Sequence, residues 1–201
     1  MTDRPSRSAT GSRRTAETSI DVSIALDGAG RTEVSTGLPF FDHMLDQLGR
    51  HGGFDLRVDA KGDLEVDGHH TVEDVGILVG ELFRSALGDK AGVRRFASGL
   101  FPLDEALVEV ALDLSGRPYS VIDLPFGEVL PLGDPPFNPE MAEHFLQSFA
   151  TSAAITLHVS RRAGTNTHHI IEAAFKGLAR CLRDAVRVEG AGVPSTKGTL
   201  G

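Results

Sequence analysis

His69-His70-Thr71-Val72-Glu73 and His168-His169-Ile170-Ile171-Glu172 are two copies of one pattern, set almost half of the 201-residue chain apart. A lone histidine precedes each copy at nearly the same distance. His43 lies in Phe41-Asp42-His43-Met44-Leu45, and His144 in Ala142-Glu143-His144-Phe145-Leu146. All but two of the eight histidines therefore fall in a duplicated arrangement, each half of which ends in a glutamate. The segments around these histidines repeat in the same order, so the chain reads as an internal duplication.

Outward from the histidines, the pattern gives the elements. Ile20, Val22, Ile24 and Leu26 alternate with polar residues over Ser19–Asp27, which predicts a strand with one buried face. Phe40–Arg50 reads as a helix stopped by Gly52-Gly53, Phe54–Val58 as a strand, and His70–Leu87 as a second helix. The second half follows with an alternating Ala106–Leu114, a helix over Met141–Ala153, a strand over Ile155–Val159 and a helix over His169–Val186. The Pro-rich stretch Leu130–Pro139 is an insertion in that half. The expected fold is α+β: two similar halves, each a β-sheet with helices packed on one face. The halves span residues 15–95 and 96–201, with the boundary near Gly92–Leu100, and make one catalytic domain. Residues 1–14 are basic and polar with no apolar stretch, and read as a disordered tail.

The histidine spacing carries a geometric argument. On a helix, residues four apart share a face, whereas neighbours diverge by about 100°. His69 and Glu73 can meet at one ion while His70 points elsewhere; His168, Glu172 and His169 repeat the arrangement. The economical reading is that each pair serves two metal centres. Imidazole nitrogen with carboxylate oxygen is a first-row transition-metal ligand set. The candidates are His43, His69, His70, Glu73, His144, His168, His169 and Glu172. The duplication fits two ions, or one site built from both halves. His51 and His158 stand outside the pattern and are expected not to be ligands.

Composition excludes several classes. A net charge of −8 argues against nonspecific nucleic-acid binding. No apolar run approaches the ~20 residues of a membrane span. The single cysteine, Cys181, sits in an apolar helical pattern and reads as a packed residue rather than a nucleophile. No disulfide can form within the chain, and a cytoplasmic setting is expected.

The strings FFDHMLDQLGRHGGFDL, DGHHTVEDVGI, PLDEALVEVALDLSGRP, GTNTHHIIEAAFKGLA and PSTKGTL, in that order, resemble those of imidazoleglycerol-phosphate dehydratases. The resemblance spans residues 14 to 201. It implies a lyase of histidine biosynthesis that removes water from imidazole glycerol phosphate to give imidazole acetol phosphate. It further implies two manganese ions per site and a 24-subunit particle built from trimers, with sites between subunits. The proton to be lost is on a carbon with no adjacent carbonyl and is poorly acidic. Two divalent ions, one at each ring nitrogen, would stabilise the deprotonated imidazole of the substrate. Eight ligands shared by two ions leave octahedral positions for ring nitrogen and substrate oxygen. Ligand type alone does not choose manganese over iron, zinc or nickel.

The resemblance also points to the anion site. Arg95, Arg117, Ser195 and Lys197 sit in matching motifs and would hold the phosphate, arginine as a fork and lysine as a point charge. Arg94 is the poorer candidate, because the family arginine directly precedes the phenylalanine. Glu17, in Thr15-Ala16-Glu17-Thr18, matches a family position and could move a proton in contact with substrate. Turnover is thus expected to depend on two glutamates, Glu172 as a ligand and Glu17 in proton transfer. Asp104 and Glu105 are expected to orient a histidine or an arginine. Asp42, Gln47 and Lys176 could approach substrate. Two other readings use the same residues. One is a dinuclear phosphoester hydrolase, and the other is a noncatalytic metal-storage shell.

Overall fold

Along β2 (Thr18–Ala25), Ile20, Val22 and Ile24 are buried while Ser19 and Asp21 face water. Along β6 (Ala106–Asp113), Val108, Val110 and Leu112 are buried in the same rhythm. Each of these strands is an inner strand of one of two sheets in the computed structural model, which describes residues 6–127 and 130–200. In the first half β1 (Ser8–Arg14), β2, β3 (Thr32–Ser35) and β4 (Asp55–Gly62) lie in the order β1-β2-β4-β3. β3 runs parallel to β4, and the other pairings are antiparallel. In the second half β5 (Phe96–Leu103), β6, β7 (Tyr119–Asp123) and β8 (Thr156–Ala163) repeat the order as β5-β6-β8-β7, with β7 parallel to β8.

The helices α1 (Pro39–Gly52), α2 (His69–Leu87), α3 (Glu140–Ser152) and α4 (Thr167–Ala185) fill the space between the sheets. α2 covers β1 and β2, and α4 covers β5 and β6. The helices also pack across the halves, α1 on α4 and α2 on α3, so one core runs through both. Glycine makes the α2–α3 approach close. A Cβ on Gly76 would stand 3.2 Å from the Phe145 carbonyl oxygen, and one on Gly80 only 2.6 Å from that of Phe149.

Ser8–Arg14 is a strand and not a disordered tail. Its sequence hides this, because its inward face carries only Ala9, Gly11 and Arg13. Neighbours supply the reason to order. β1 pairs with β2 along its whole length, and Leu82 packs over Gly11. The Arg13 guanidinium donates to Asp74 Oδ1 at 2.7 Å, while the Thr18 hydroxyl donates to Asp74 Oδ2 at 2.5 Å, so the buried Asp74 carboxylate is satisfied. The first half therefore begins at Ser8; residues 1–5 of the expected tail lie outside the described residues. The edge strands β3, β5 and β7 also escaped the sequence pattern. In the Pro-rich insertion, Phe137 is fully buried and stacks on Phe41 at 5.9 Å between ring centroids.

Gly80→Val should force α2 away from the α3 backbone. Overpacking of this kind costs about 1–3 kcal/mol. Urea unfolding should show the loss as a lower midpoint, and an unchanged midpoint would mean that α2 and α3 part without penalty.

Candidate active site

Packing of α1 on α4 brings His43 to the first turns of α4, where His168 and Glu172 are one turn apart. His168 Nε2 lies 3.0 Å and His43 Nε2 3.5 Å from Glu172 Oε2. One ligand atom from each of the three falls within 4.8 Å of the others, close enough to hold one cation. Two nitrogens and a carboxylate oxygen suit a divalent transition metal. Burial pushes the Glu172 carboxyl up, but the Lys176 ammonium, 2.7 Å from Oε1, outweighs it together with His168 and His43, and the net shift is downward. Glu172 is thus held charged. Behind His43, Gln47 Nε2 lies 3.4 Å from Nδ1, and His51 lies 3.1 Å from Gln47 Oε1. His51 therefore supports the group from outside it.

The α2–α3 contact makes the counterpart. The rings of His69 and His144 meet edge to face with centroids 4.4 Å apart, and Glu73 lies one turn beyond His69. Each half lends its lone histidine to the other half's pair. Neither group exists in one half alone.

His70 and His169 join neither group. Their rings are turned 85° and 77° from those of His69 and His168. Each is fixed by a carboxylate on Nδ1: Asp63 at 3.0 Å for His70, Glu105 at 2.7 Å for His169. The hydrogen bond to Asp63 raises the proton affinity of His70. The hydrogen bond to His169, helped by the backbone N–H groups of Asn166 and Thr165, holds the Glu105 carboxyl down at about 2. A second carboxylate stands 3.8 Å from each Nε2, Glu17 at His70 and Asp104 at His169. The turns β1–β2 and β5–β6 supply these two residues, so the duplication extends to them.

Arg95, Arg117, Ser195 and Lys197 line one cleft of about 570 Å³, together with Pro194, Thr196, Thr199 and Leu200. Arg95 forks onto Asp113 at 2.6 and 2.9 Å and donates to the Pro194 carbonyl at 2.7 Å. It thereby ties the C-terminal segment to the sheet and retains N–H groups beyond these bonds. Arg94 instead approaches Glu189 at 3.8 Å.

The cleft and the His43 group are far apart in one chain. The Arg95 amide donates to the carbonyl of Ala185, the last residue of α4, whereas His168 and Glu172 lie near its start. At about 1.5 Å per helical residue the separation is roughly 20–25 Å. β6 gives an independent ruler. Glu105 precedes it and Asp113 ends it, which again makes about 25 Å at ~3.3 Å per residue.

Asp42 accepts from the Thr36 amide and hydroxyl, so it shapes the entry to α1. Cys181 is buried, its thiol pushed up to about 12 by that burial, which fits a packed residue. His158 is exposed on the outer face of β8. Asp63 and Asp113 were missed by the sequence reading. Neither lies in a repeated motif, and only folding puts them beside His70 and Arg95.

The sequence profile of imidazoleglycerol-phosphate dehydratase matches residues 36–182. The chain belongs to the imidazoleglycerol-phosphate dehydratase family. The family member from Acidothermus cellulolyticus is 54% identical over 198 residues, covering 98% of this chain and 95% of the relative. That from Methanothermobacter thermautotrophicus is 54% identical over 188 residues, covering 94% and 95%. Among solved structures, imidazoleglycerol-phosphate dehydratase from Staphylococcus aureus superposes with a TM-score of 0.80 at 33% identity, over 92% of this chain and 99% of that one. The Pyrococcus furiosus structure gives 0.77 at 36% identity, over 94% and 100%. The duplicated two-sheet architecture is therefore the family fold. Among the described residues, no helix is long and apolar enough to cross a membrane.

The Glu105 tether has a pH dependence with a defined sign. Its carboxyl sits below the usual carboxylate range when folded, so its contribution is full above the unfolded value of about 4.5 and fades as pH falls towards 2. The Asn166 and Thr165 amides should accordingly lose their Glu105 hydrogen bonds in that window. Amide chemical shifts that stay flat from pH 5 to 2 would show that the tether does not hold the start of α4.

Proposed function

We propose that this chain is a metal-dependent hydro-lyase that converts imidazole glycerol phosphate to imidazole acetol phosphate in histidine biosynthesis. The observation that carries this reading is the His43–His168–Glu172 group, with the His69–His144 contact as its counterpart and a separate cationic cleft, in a chain of this family. Imidazole glycerol phosphate has two ends to be held, a ring and a phosphate. A metal store would need only the histidines and no anion cleft.

His43, His168 and Glu172 would hold one divalent ion, and His69, Glu73 and His144 a second, manganese in view of the family. When bound, such ions would withdraw charge from the substrate imidazole and make the neighbouring C–H more acidic. Everything else is assigned to the protein's own groups. Asp63 and Glu105 fix the tautomer and direction of His70 and His169, leaving each Nε2 as a further ligand atom. Glu17, beside His70, would take the carbon proton or deliver one to the departing hydroxyl. Arg95, Arg117, Ser195 and Lys197 would hold the phosphate, which stays attached throughout.

The reading includes a homo-oligomer with shared sites. A phosphorylated three-carbon chain on an imidazole ring spans under about 10 Å by ordinary bond lengths. That is less than half the distance from cleft to His43 group, so one copy cannot grip both ends. His70 and His169, outside their own chain's groups, would complete the ligand sets of other copies. Trimers assembling to a 24-subunit particle are the form we propose, with no nucleic acid or membrane involved and a cytoplasmic location.

Incubation with imidazole glycerol phosphate, followed by mass measurement, tests the activity. Loss of 18 mass units, the mass of water, with phosphate retained supports the dehydratase. Release of inorganic phosphate supports the phosphoester hydrolase, and no turnover with metal bound supports storage. Thorough chelation should abolish turnover, and full activity in metal-free protein would overturn the metal dependence.

The two glutamates should separate. Glu172→Gln should lose metal and turnover together. Glu17→Gln should keep metal and substrate yet lose turnover on the order of 10²–10⁴-fold. Metal analysis and rates on the same samples decide; a metal-free Glu17→Gln protein sinks the proton-transfer role. Lys197→Ala should weaken substrate binding by roughly 1.5–3 kcal/mol, with a far smaller effect on a fragment lacking phosphate. Equal loss for both ligands would give Lys197 another role.

A further inference from the structure

The turn that carries Glu17 is held from below by a chain of hydrogen bonds that starts on α2. The Thr18 hydroxyl donates to Asp74 Oδ2 at 2.5 Å. Having one proton to give, it can only accept from the Thr15 hydroxyl, 3.1 Å away. The Thr15 oxygen then has two lone pairs left, and both are taken by amides of the turn, Glu17 N at 3.1 Å and Thr18 N at 2.9 Å. The Thr15 amide closes the turn on the Thr18 carbonyl at 2.9 Å. Every bond in the chain has its direction fixed by the carboxylate at its start. Asp74 is one helical turn beyond His70, on the same face of α2. One rigid helix therefore sets both the His70 ring and the base of the turn from which the Glu17 carboxylate reaches to 3.8 Å from His70 Nε2.

The second half shows that the fold does not require this chain of bonds. Phe101 faces Val108, the third residue of β6, as Arg13 faces Ile20, the third residue of β2. Ala106 begins β6 as Thr18 begins β2, and Ala173 follows Glu172 as Asp74 follows Glu73. Ala106 and Ala173 are each 1% exposed, so the same space is filled there without a charge. Burying a carboxylate costs desolvation that an alanine does not incur. The two turns also differ in how they are held. Glu105 anchors the β5–β6 turn with its own carboxylate, on the Asn166 and Thr165 amides. The Glu17 carboxylate makes no hydrogen bond among the described residues, so its turn is anchored by Asp74 and its oxygens stay free for a proton. We propose, on the proton-transfer reading of Glu17 above, that Asp74 acts through Thr18 and Thr15 as a positioning residue that places the Glu17 carboxylate beside His70.

Thr15→Val removes one hydroxyl at the exposed end of the chain of bonds and leaves Asp74 bonded to Arg13 and Thr18. With Mn²⁺ loaded, it should lower kcat roughly 10–100-fold, the scale of a misplaced catalytic group. KM and metal content should stay as in wild type. Thr15→Ser keeps the hydroxyl and should keep the rate. In the Glu17→Gln background, Thr15→Val should cost nothing further. Hydrogen exchange read by mass spectrometry should show the peptide across residues 14–19 exchanging several-fold faster in Thr15→Val but not in Thr15→Ser. Asp74→Asn should reverse the bonds. Its oxygen goes to Arg13, its amide donates to Thr18, and the Thr18 proton then turns to Thr15 and displaces one turn amide. It should slow turnover and speed exchange as Thr15→Val does; if circular dichroism shows it unfolded, Thr15→Val decides. With Glu17→Gln slow, the proposal is overturned if Thr15→Val turns over as wild type, or if Thr15→Ser is equally slow. It is also overturned if the losses from Thr15→Val and Glu17→Gln multiply, or if a folded Asp74→Asn keeps both rate and exchange. Normal turnover of Glu17→Gln would instead remove its proton-transfer role. Exchange alone then decides: a faster turn in Thr15→Val upholds its placement by Asp74, and an unchanged one overturns it.

Discussion

Packing across the duplicated halves is the constraint on which the rest depends. His43 meets His168 and Glu172 only because α1 lies on α4, and His69 meets His144 only because α2 lies on α3. The second contact needs glycine at positions 76 and 80, where a side chain would strike the α3 backbone. Aromatic rings fasten the same seam. Phe41 touches Phe145 and Phe137, and Phe83 touches Phe149, each at 5.5–5.9 Å between centroids. Such pairs contribute about 0.5–1.5 kcal/mol each beyond their buried area. The apolar seam and the polar groups at its ends are therefore one construction.

Carboxylates then sort the histidines. Adjacent histidines on a helix cannot share a target, and in each pair one ring turns inward to the seam while its neighbour is fixed by a carboxylate from another element. Asp63 comes from the segment before α2, and Glu105 from the β5–β6 turn. The two halves solve the same problem with residues from different places, as expected of a duplication that has since diverged. Divergence also placed the Arg95–Asp113 fork and the C-terminal segment at the far end of the second sheet. The outcome is a chain in which the cleft of Arg95 and Lys197 stands far from the His43 group.

The inner elements were legible in the sequence because burial imposes a period. Ile20, Val22 and Ile24 announce β2, and the apolar faces of the four helices announce their packing. The edge strands were not legible. β1 has almost no apolar residue, and β5 turns Phe96 and Leu100 outward, so neither shows the rhythm of a half-buried strand. Their order comes from partners: the β2 backbone, Leu82 over Gly11, and the buried Asp74 that takes Arg13.

The sequence by itself determined the duplication and the divergence of each histidine pair, because helical spacing is local and needs no partner to be read. It also named four of the residues that line the C-terminal cleft, through motifs that mark a family. Tertiary structure alone decided which histidines meet, since that depends on which helix packs on which. It alone supplied Asp63, which lies outside any motif, and the partnership of Asp113 with Arg95, which no motif spacing shows. It alone set the distance between the cleft and the His43 group, because that distance is the length of α4 laid along β6, and no spacing in the sequence measures it.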